Sequence, residues 1–286
     1  MLKKLIKYDL KDLFSISWIF YIIVILLSFI LFIYNYNEWF GKSIILELSY
    51  SLLNTILLIL LILLFGFIVF KILKRFSKNV YSDEGYLTNT LPINKGKLYF
   101  SKILSSTIYL ITSGLIISLA YSFGMAFVFT KSTCFDGLNH TCRSSQIESL
   151  IEEWSSLLHI SPIWVLLLLL LLIFFEVMVI ILAGYNGIIK NHLTNTPRKI
   201  KSVIYSICFY LMSVLVIVFI FYIASKINPD IAKLFTMKEK LFYEVMYQYT
   251  ETYKQITLIG IFSYLGINIC LLFNGYRLFN KGINLE

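Results

Sequence analysis

The sequence predicts an all-α integral membrane protein with six transmembrane helices. Of its 286 residues, 58% are hydrophobic and only 14% are charged, whereas soluble domains carry about 25% charged residues. Six apolar segments each approach or exceed the roughly 20 residues that a helix needs to cross a bilayer. No polar block between them is long enough to form a soluble domain, so we interpret residues 1–286 as a single membrane domain.

The six predicted spans follow one another along the whole chain. They cover residues 17–34, 51–70, 103–129, 163–189, 202–224 and 256–276. The third and fourth spans are long enough to tilt or to extend past the bilayer. The fourth begins at Pro162, and this position is acceptable because proline is well tolerated in the first turn of a helix.

The first fourteen residues have an amphipathic pattern. Apolar side chains recur at helical spacing from Leu2 to Phe14, while Lys3, Lys4, Lys7 and Lys11 lie mostly on the other face. This pattern is typical of a helix in the membrane interface, with its lysines near anionic headgroups. The alternative is that these residues are simply the basic flank of the first span.

The distribution of charge predicts the orientation of the chain. Seventeen Lys or Arg lie in the segments of one side, which are the N-terminus, residues 71–102, residues 190–201 and the tail from Arg277. The opposite segments, 35–50, 130–162 and 225–255, carry 8 Lys or Arg and 10 Asp or Glu. The positive-inside rule therefore places both termini in the cytoplasm. The net charge of +9 reflects this topology and gives little reason to expect a nucleic-acid partner.

The stretch from Lys71 to Lys102, between the second and third spans, contains a short helical pattern. Ser82 is a suitable N-cap residue, and Asp83 and Glu84 follow in the first turn, where negative charge favours the helix dipole. Tyr81 and Tyr86 stand at the two positions of a hydrophobic staple. Pro92 disfavours the helical conformation of the residue before it and ends the helix.

A family resemblance lies in the same stretch. Glu84-Gly85-Tyr86-Leu87-Thr88-x-Thr90-Leu91-Pro92, followed by Leu98 and Ser101-Lys102, resembles the second-to-third-helix loop of bacterial ABC-2 type transporter permeases. In that family the loop holds a coupling helix that sits in a groove of a separate ATP-binding subunit. The remainder of the chain resembles the family in topology only.

The resemblance implies a permease subunit of an ATP-driven exporter in the bacterial cytoplasmic membrane. Two permeases, identical or related, would pair with two ATP-binding subunits and move a hydrophobic or amphipathic substrate such as a peptide or bacteriocin, a lipid or a drug. The chain has no G-x-x-x-x-G-K-[ST] motif, so ATP and magnesium are expected on the partner. The residues implied in coupling are Asp83, Glu84, Gly85, Tyr86, Leu87, Thr88, Leu91 and Pro92.

Glu176 is the one acidic residue near the middle of a predicted span. A charged side chain there costs about 2.5–3.5 kcal/mol on insertion scales, so it is expected to face the bundle interior or a cavity. One interpretation is a carboxylate on the substrate path or linked to proton movement. The other is a structural carboxyl that is bonded to a Tyr, Asn or Ser of a neighbouring helix.

Cys134 and Cys142 lie in a segment predicted to be outside the cell, with His140 between them. An external position favours a disulfide. Free thiols remain an alternative, and a metal site lacks a clear fourth ligand. We therefore predict no metal or other cofactor on this chain.

Two other classes of function remain open alternatives, and a third is disfavoured. A non-transporting sensor or immunity module would act through its outer segments, where residues 225–255 are rich in aromatic side chains. A secondary transporter would use Glu176, but the chain lacks the internal repeat typical of that class. An enzyme is not expected, because Glu152-Glu153 lacks the following Arg of a membrane-protease motif and lies outside the spans.

Overall fold

The computed structural model describes residues 2–36, 44–81, 94–130, 162–194, 199–229 with 231, and 250–281. Within these ranges the chain is helical except at a few residues next to the helix ends. The helices are α1 (Leu2–Tyr36), α2 (Ile44–Tyr81), α3 (Lys95–Thr130), α4 (Pro162–His192), α5 (Lys199–Ile227) and α6 (Thr250–Asn280). All six are long and apolar enough to cross a membrane. For the described residues, the prediction of an all-helical fold with six candidate spans is therefore confirmed.

The helices are longer than the predicted spans. They contain from 29 residues in α5 to 38 in α2, whereas about 20 residues cross the hydrocarbon core. Residues 71–81 and 95–102, which the sequence analysis assigned to a loop, are the last turns of α2 and the first turns of α3. The apolar run stops at residue 70, but lysine and arginine are good helix formers and the helix continues through them.

Residues 2–14 are not a separate helix, because α1 runs without a break from Leu2 to Tyr36. Within this segment Asp9 and Leu13 are buried, whereas the four lysines are exposed. The placement of these turns in the membrane interface stays a prediction.

The described helices group into two compact units. Unit 1 contains α1, α2 as far as Arg75, and α3 from Lys97 onwards. Unit 2 contains α4, α5 and α6, together with Phe76–Gly96 at the junction of α2 and α3. The two helix ends that border residues 82–93 therefore belong to unit 2.

Several predicted site residues lie outside the described part of the chain. These are the coupling residues Asp83, Glu84, Gly85, Tyr86, Leu87, Thr88, Leu91 and Pro92, and the external residues Cys134, His140 and Cys142. Glu176 lies in the middle of α4 and is described.

Candidate functional site

The end of α2 is packed against α4 by two aromatic stacks. The Tyr81 ring lies parallel to the His192 imidazole, with 4.0 Å between the ring centroids and 2° between the planes. Five residues earlier, Phe76 stacks on Tyr185 with a centroid distance of 3.9 Å. Phe76, Tyr185 and Val80 are almost completely buried. These contacts hold the chain in place immediately before residue 82.

The start of α3 is held in a similar way after residue 93. Asn94 caps the helix, since its side-chain oxygen accepts a hydrogen bond of 2.9 Å from the Gly96 N–H. Gly96 lies so close to α6 that an added Cβ would come within 2.9 Å of a ring carbon of Tyr276. A side chain at position 96 would displace that ring, so glycine leaves room for the Tyr276 side chain against the start of α3.

Backbone proximity also joins α4 to α5. A Cβ added at Gly187 would lie 2.5 Å from the backbone nitrogen of Ser206 and 2.7 Å from its Cα. Real Cβ atoms do not make such contacts, so only glycine fits this position. The Ser206 hydroxyl donates to the carbonyl oxygens of Gly184 and Ser202. Small residues at helix contacts are a common means of association inside membranes.

Two buried asparagines join α4 to α6. The Asn186 side-chain amide donates to the Leu271 carbonyl oxygen at 3.0 Å, and Asn186 is fully buried. The Asn268 amide donates to the Phe175 carbonyl oxygen, also at 3.0 Å. Such interhelical bonds average about 0.6 kcal/mol in membrane proteins. Together with the Gly187 contact, they make α4 the central helix of unit 2.

Glu176 is half-buried on α4, in the turn that contacts α6. Its carboxyl interacts electrostatically with the Tyr264 hydroxyl of α6, which in turn interacts with Tyr210 of α5. Within the described ranges no hydrogen bond or ion pair reaches this carboxyl. A structural carboxyl bonded to a Tyr, Asn or Ser is therefore not observed there, although a tyrosine is close.

Unit 1 contains a network of charged side chains that joins the first turns of α1 to α2 and α3. The Lys102 ammonium of α3 donates to both carboxylate oxygens of Asp9, each at 2.7 Å. Arg75 of α2 bonds Asp12 at 2.9 Å, and its Nε lies 3.8 Å from an Asp9 oxygen. Lys71 donates to the Leu13 carbonyl oxygen at 2.7 Å. Asp9 is thus the point at which α1, α2 and α3 meet.

A row of hydroxyl groups continues from this network along the contact of α1 and α3. Lys71 also donates to the Ser17 hydroxyl, which is hydrogen-bonded to the Tyr109 hydroxyl. One turn further on, the Tyr21 and Ser113 hydroxyls are 2.6 Å apart. From Asp9 to Tyr21 the polar row covers about 18 Å of α1 at 1.5 Å per residue.

The Asp9 network was not predicted from the sequence. Lys71, Arg75 and Lys102 were interpreted as loop charges that report topology, and no role was predicted for Asp9. One signal was present, because Asp9 lies four residues from both Leu5 and Leu13 and therefore on the apolar face of its helix. An acidic residue on a buried face requires a cation from another helix.

The fold and these helix contacts define a multi-pass helical membrane protein. Among the described residues, no group of three or more His, Cys, Asp or Glu could hold a metal ion. Comparison of the chain with protein-family models, curated proteins and solved structures gives no match.

Proposed function

We propose that this chain is the permease subunit of an ATP-driven exporter of the ABC-2 type in a bacterial cytoplasmic membrane. One structural observation supports the proposal beyond the resemblance of residues 84–92. The chain is packed tightly on both sides of residues 82–93, by Tyr81 on His192 and by Gly96 against Tyr276. A force applied to this segment would therefore reach α4 and α6 directly.

In the proposed mechanism, two ATP-binding subunits come together when they bind ATP. Their movement displaces residues 82–93 in each of the two permeases. Binding energy shifts the population between two states of the membrane helices, because nucleotide favours one of them. The Tyr81 stack and the Gly96 contact leave little space for local adjustment, so the displacement is passed on to the helix ends. ATP and magnesium are bound by the partner subunits.

The residues proposed to contact the ATP-binding subunit have distinct roles. Tyr86 and Leu87 would enter its groove, and Gly85 would allow a close backbone approach. Asp83 and Glu84 would stabilise the start of the short helix through its dipole. The remaining members, Thr88, Leu91 and Pro92, would complete the contact surface and end the helix.

The cargo is proposed to be hydrophobic or amphipathic, in the range of peptides such as bacteriocins, lipids and drugs. Glu176 is the proposed polar group on the substrate path. This role is supported by the state of the Glu176 carboxyl, which is half-buried and makes no hydrogen bond or ion pair within the described ranges. An acid in this position is expected to serve a function, because its insertion costs free energy.

Co-purification with an ATP-binding cassette protein encoded next to this chain's gene tests the proposal. We expect Leu87→Asp to abolish co-purification and ATP-driven transport, because a carboxylate would be buried in an apolar groove. The matched control is Ile200→Asp, which places the same charge at an exposed apolar residue at the start of α5, on the side of the chain predicted to be cytoplasmic. Full activity of Leu87→Asp, or transport in cells without any such partner, would contradict the proposal.

A further inference from the structure

Asp9 lies within reach of two cations, and these come from the two helices that border residues 82–93. Lys102 of α3 holds both carboxylate oxygens at 2.7 Å. Arg75 of α2 stands 3.8 Å from one of the same oxygens. The side chains of Asp9 and Lys102 are 4% and 5% exposed. A carboxylate buried to this degree needs a cationic partner in every state of the protein.

Arg75 can move closer to Asp9 without breaking a strong ion pair with Asp12. Asp12 is one of the partners of Arg75, and its side chain is 48% exposed. An ion pair with so exposed a carboxylate contributes little stability, because water competes for both groups. The guanidinium group can also bind a carboxylate through two parallel N–H bonds, which a lysine ammonium cannot do.

We infer that Asp9 exchanges its partner, from Lys102 to Arg75, when α2 and α3 are displaced relative to α1. Asp9, Arg75 and Lys102 are then positioning residues that give unit 1 two discrete arrangements, each with the buried carboxylate paired. The driving force for the exchange rests on the proposed function, since residues 82–93 would receive the displacement. The exchange itself depends only on contacts within unit 1.

The simpler alternative is a static ion pair that only joins α1 to α3. The two accounts differ in what Arg75 does when Lys102 is removed. In a static arrangement Arg75 stays 3.8 Å from Asp9, so Lys102→Met removes the close cationic partner of a buried carboxylate, which is strongly destabilising. In an exchanging pair, Arg75 takes over the carboxylate and the protein is preserved.

The first test therefore neutralises these residues in the full-length chain and measures the yield of monodisperse protein and its thermal unfolding. We expect Lys102→Met to keep a yield within about twofold of wild type, and Lys102→Met with Arg75→Met to lose about tenfold or more. Adding Asp9→Asn to that double variant should restore the yield, because no unpaired charge remains. As a matched control, Lys102→Met with Asp12→Asn should behave like Lys102→Met alone.

Either of two results overturns the inference. The first is failure of Lys102→Met alone to assemble, and the second is an equal yield of Lys102→Met with and without Arg75. Neither measurement requires an ATP-binding partner, so the outcome does not depend on whether the proposed function is correct.

The second test concerns the role of the exchange in transport. Arg75→Met should leave yield and unfolding temperature close to wild type and lower the amount of substrate moved per ATP by about tenfold. Arg75→Lys should keep most of the wild-type amount of substrate moved per ATP, because a cation can still reach Asp9. Unchanged transport by Arg75→Met would show that the exchange has no function. If the wild-type assembly shows no ATP-driven transport at all, that result would instead count against the proposed function.

Discussion

The two units of this protein join their helices by different means. In unit 1, α1 contacts α2 and α3 through ion pairs and hydroxyl groups that start at Asp9 and reach Tyr21 and Ser113. In unit 2, α4 contacts α5 through the close approach of Gly187 to Ser206, and α6 through amide bonds from Asn186 and Asn268. The contacts of unit 1 are polar and offer several neighbouring partners, whereas those of unit 2 combine a close backbone approach with single amide hydrogen bonds.

This difference indicates which part of the molecule can rearrange. A hydroxyl or an ion pair can move to a neighbouring partner with a modest change in free energy. A helix contact that only glycine permits has no alternative arrangement nearby, because packed interiors deform little. We therefore expect unit 2 to act as a rigid body and unit 1 to contain the mobile contacts, and the following substitutions test this contrast.

Within unit 2, the largest loss of stability is expected from Gly187→Ala. Its new Cβ would overlap the Ser206 backbone, so α4 and α5 must separate. Overpacking of this kind costs about 1–3 kcal/mol. Thermal unfolding of the purified protein in detergent measures it. The matched control is Gly266→Ala, where an added Cβ meets nothing within 4 Å. Equal stability of the two variants would remove the evidence for a rigid α4–α5 contact.

A smaller loss is expected from Asn186→Leu. The substitution removes the bond to the Leu271 carbonyl oxygen from a fully buried site, and leucine has a similar volume. The cost should be about 0.6 kcal/mol and should not exceed about 1.7 kcal/mol. The same unfolding assay applies. A loss larger than that of Gly187→Ala would mean that amide bonds, and not close packing, dominate unit 2.

A comparable or smaller effect is expected in unit 1 from Tyr109→Phe. The variant keeps the ring that packs edge-on against Phe14 and removes only the hydroxyl bonded to Ser17. The remaining hydroxyl groups can pair with one another, so the loss should be about 0.5 kcal/mol. Tyr222→Phe, at an exposed tyrosine of α5, is the control. A loss above about 2 kcal/mol would show that this polar row is as rigid as the contacts of unit 2.

Glu176→Gln is expected to alter transport without lowering stability. Within the described ranges the carboxyl makes no hydrogen bond or ion pair that the amide would lose. Glutamine also removes the cost of a charge inside the membrane. Transport of candidate peptides and lipids by the reconstituted complex, measured at several pH values, is the readout. Unchanged transport at every pH would favour a structural role for Glu176.

The sequence was sufficient to predict the six helices, because apolar runs of this length have few alternatives to a membrane-spanning helix. It was less informative about where the helices end. The run from Lys71 to Tyr81 is charged and therefore resembles a loop in hydropathy, yet it is helical in the structure. Hydropathy reports burial in lipid, and it does not detect helical turns that continue into the polar region.

The candidate site could be predicted only in part. The pattern around Ser82 and Pro92 is local, so its short helix could be proposed from neighbouring residues. The contacts of Tyr81 with His192 and of Asp9 with Lys102 join residues about one hundred positions apart, and no local pattern determines them. Asp9 lies on the apolar face of its helix, which indicates that a cation is required, but the sequence does not say which helix supplies it.

One measurement tests the central claim most directly. The variant Tyr86→Cys is made in a chain whose own cysteines at 134, 142, 208 and 270 are replaced by serine. Membrane vesicles of both orientations that contain this variant are then treated with a membrane-impermeant maleimide. We predict labelling in inside-out vesicles only, and protection from labelling when the ATP-binding subunit is added. Labelling in right-side-out vesicles, or labelling that the ATP-binding subunit does not change, would contradict the account.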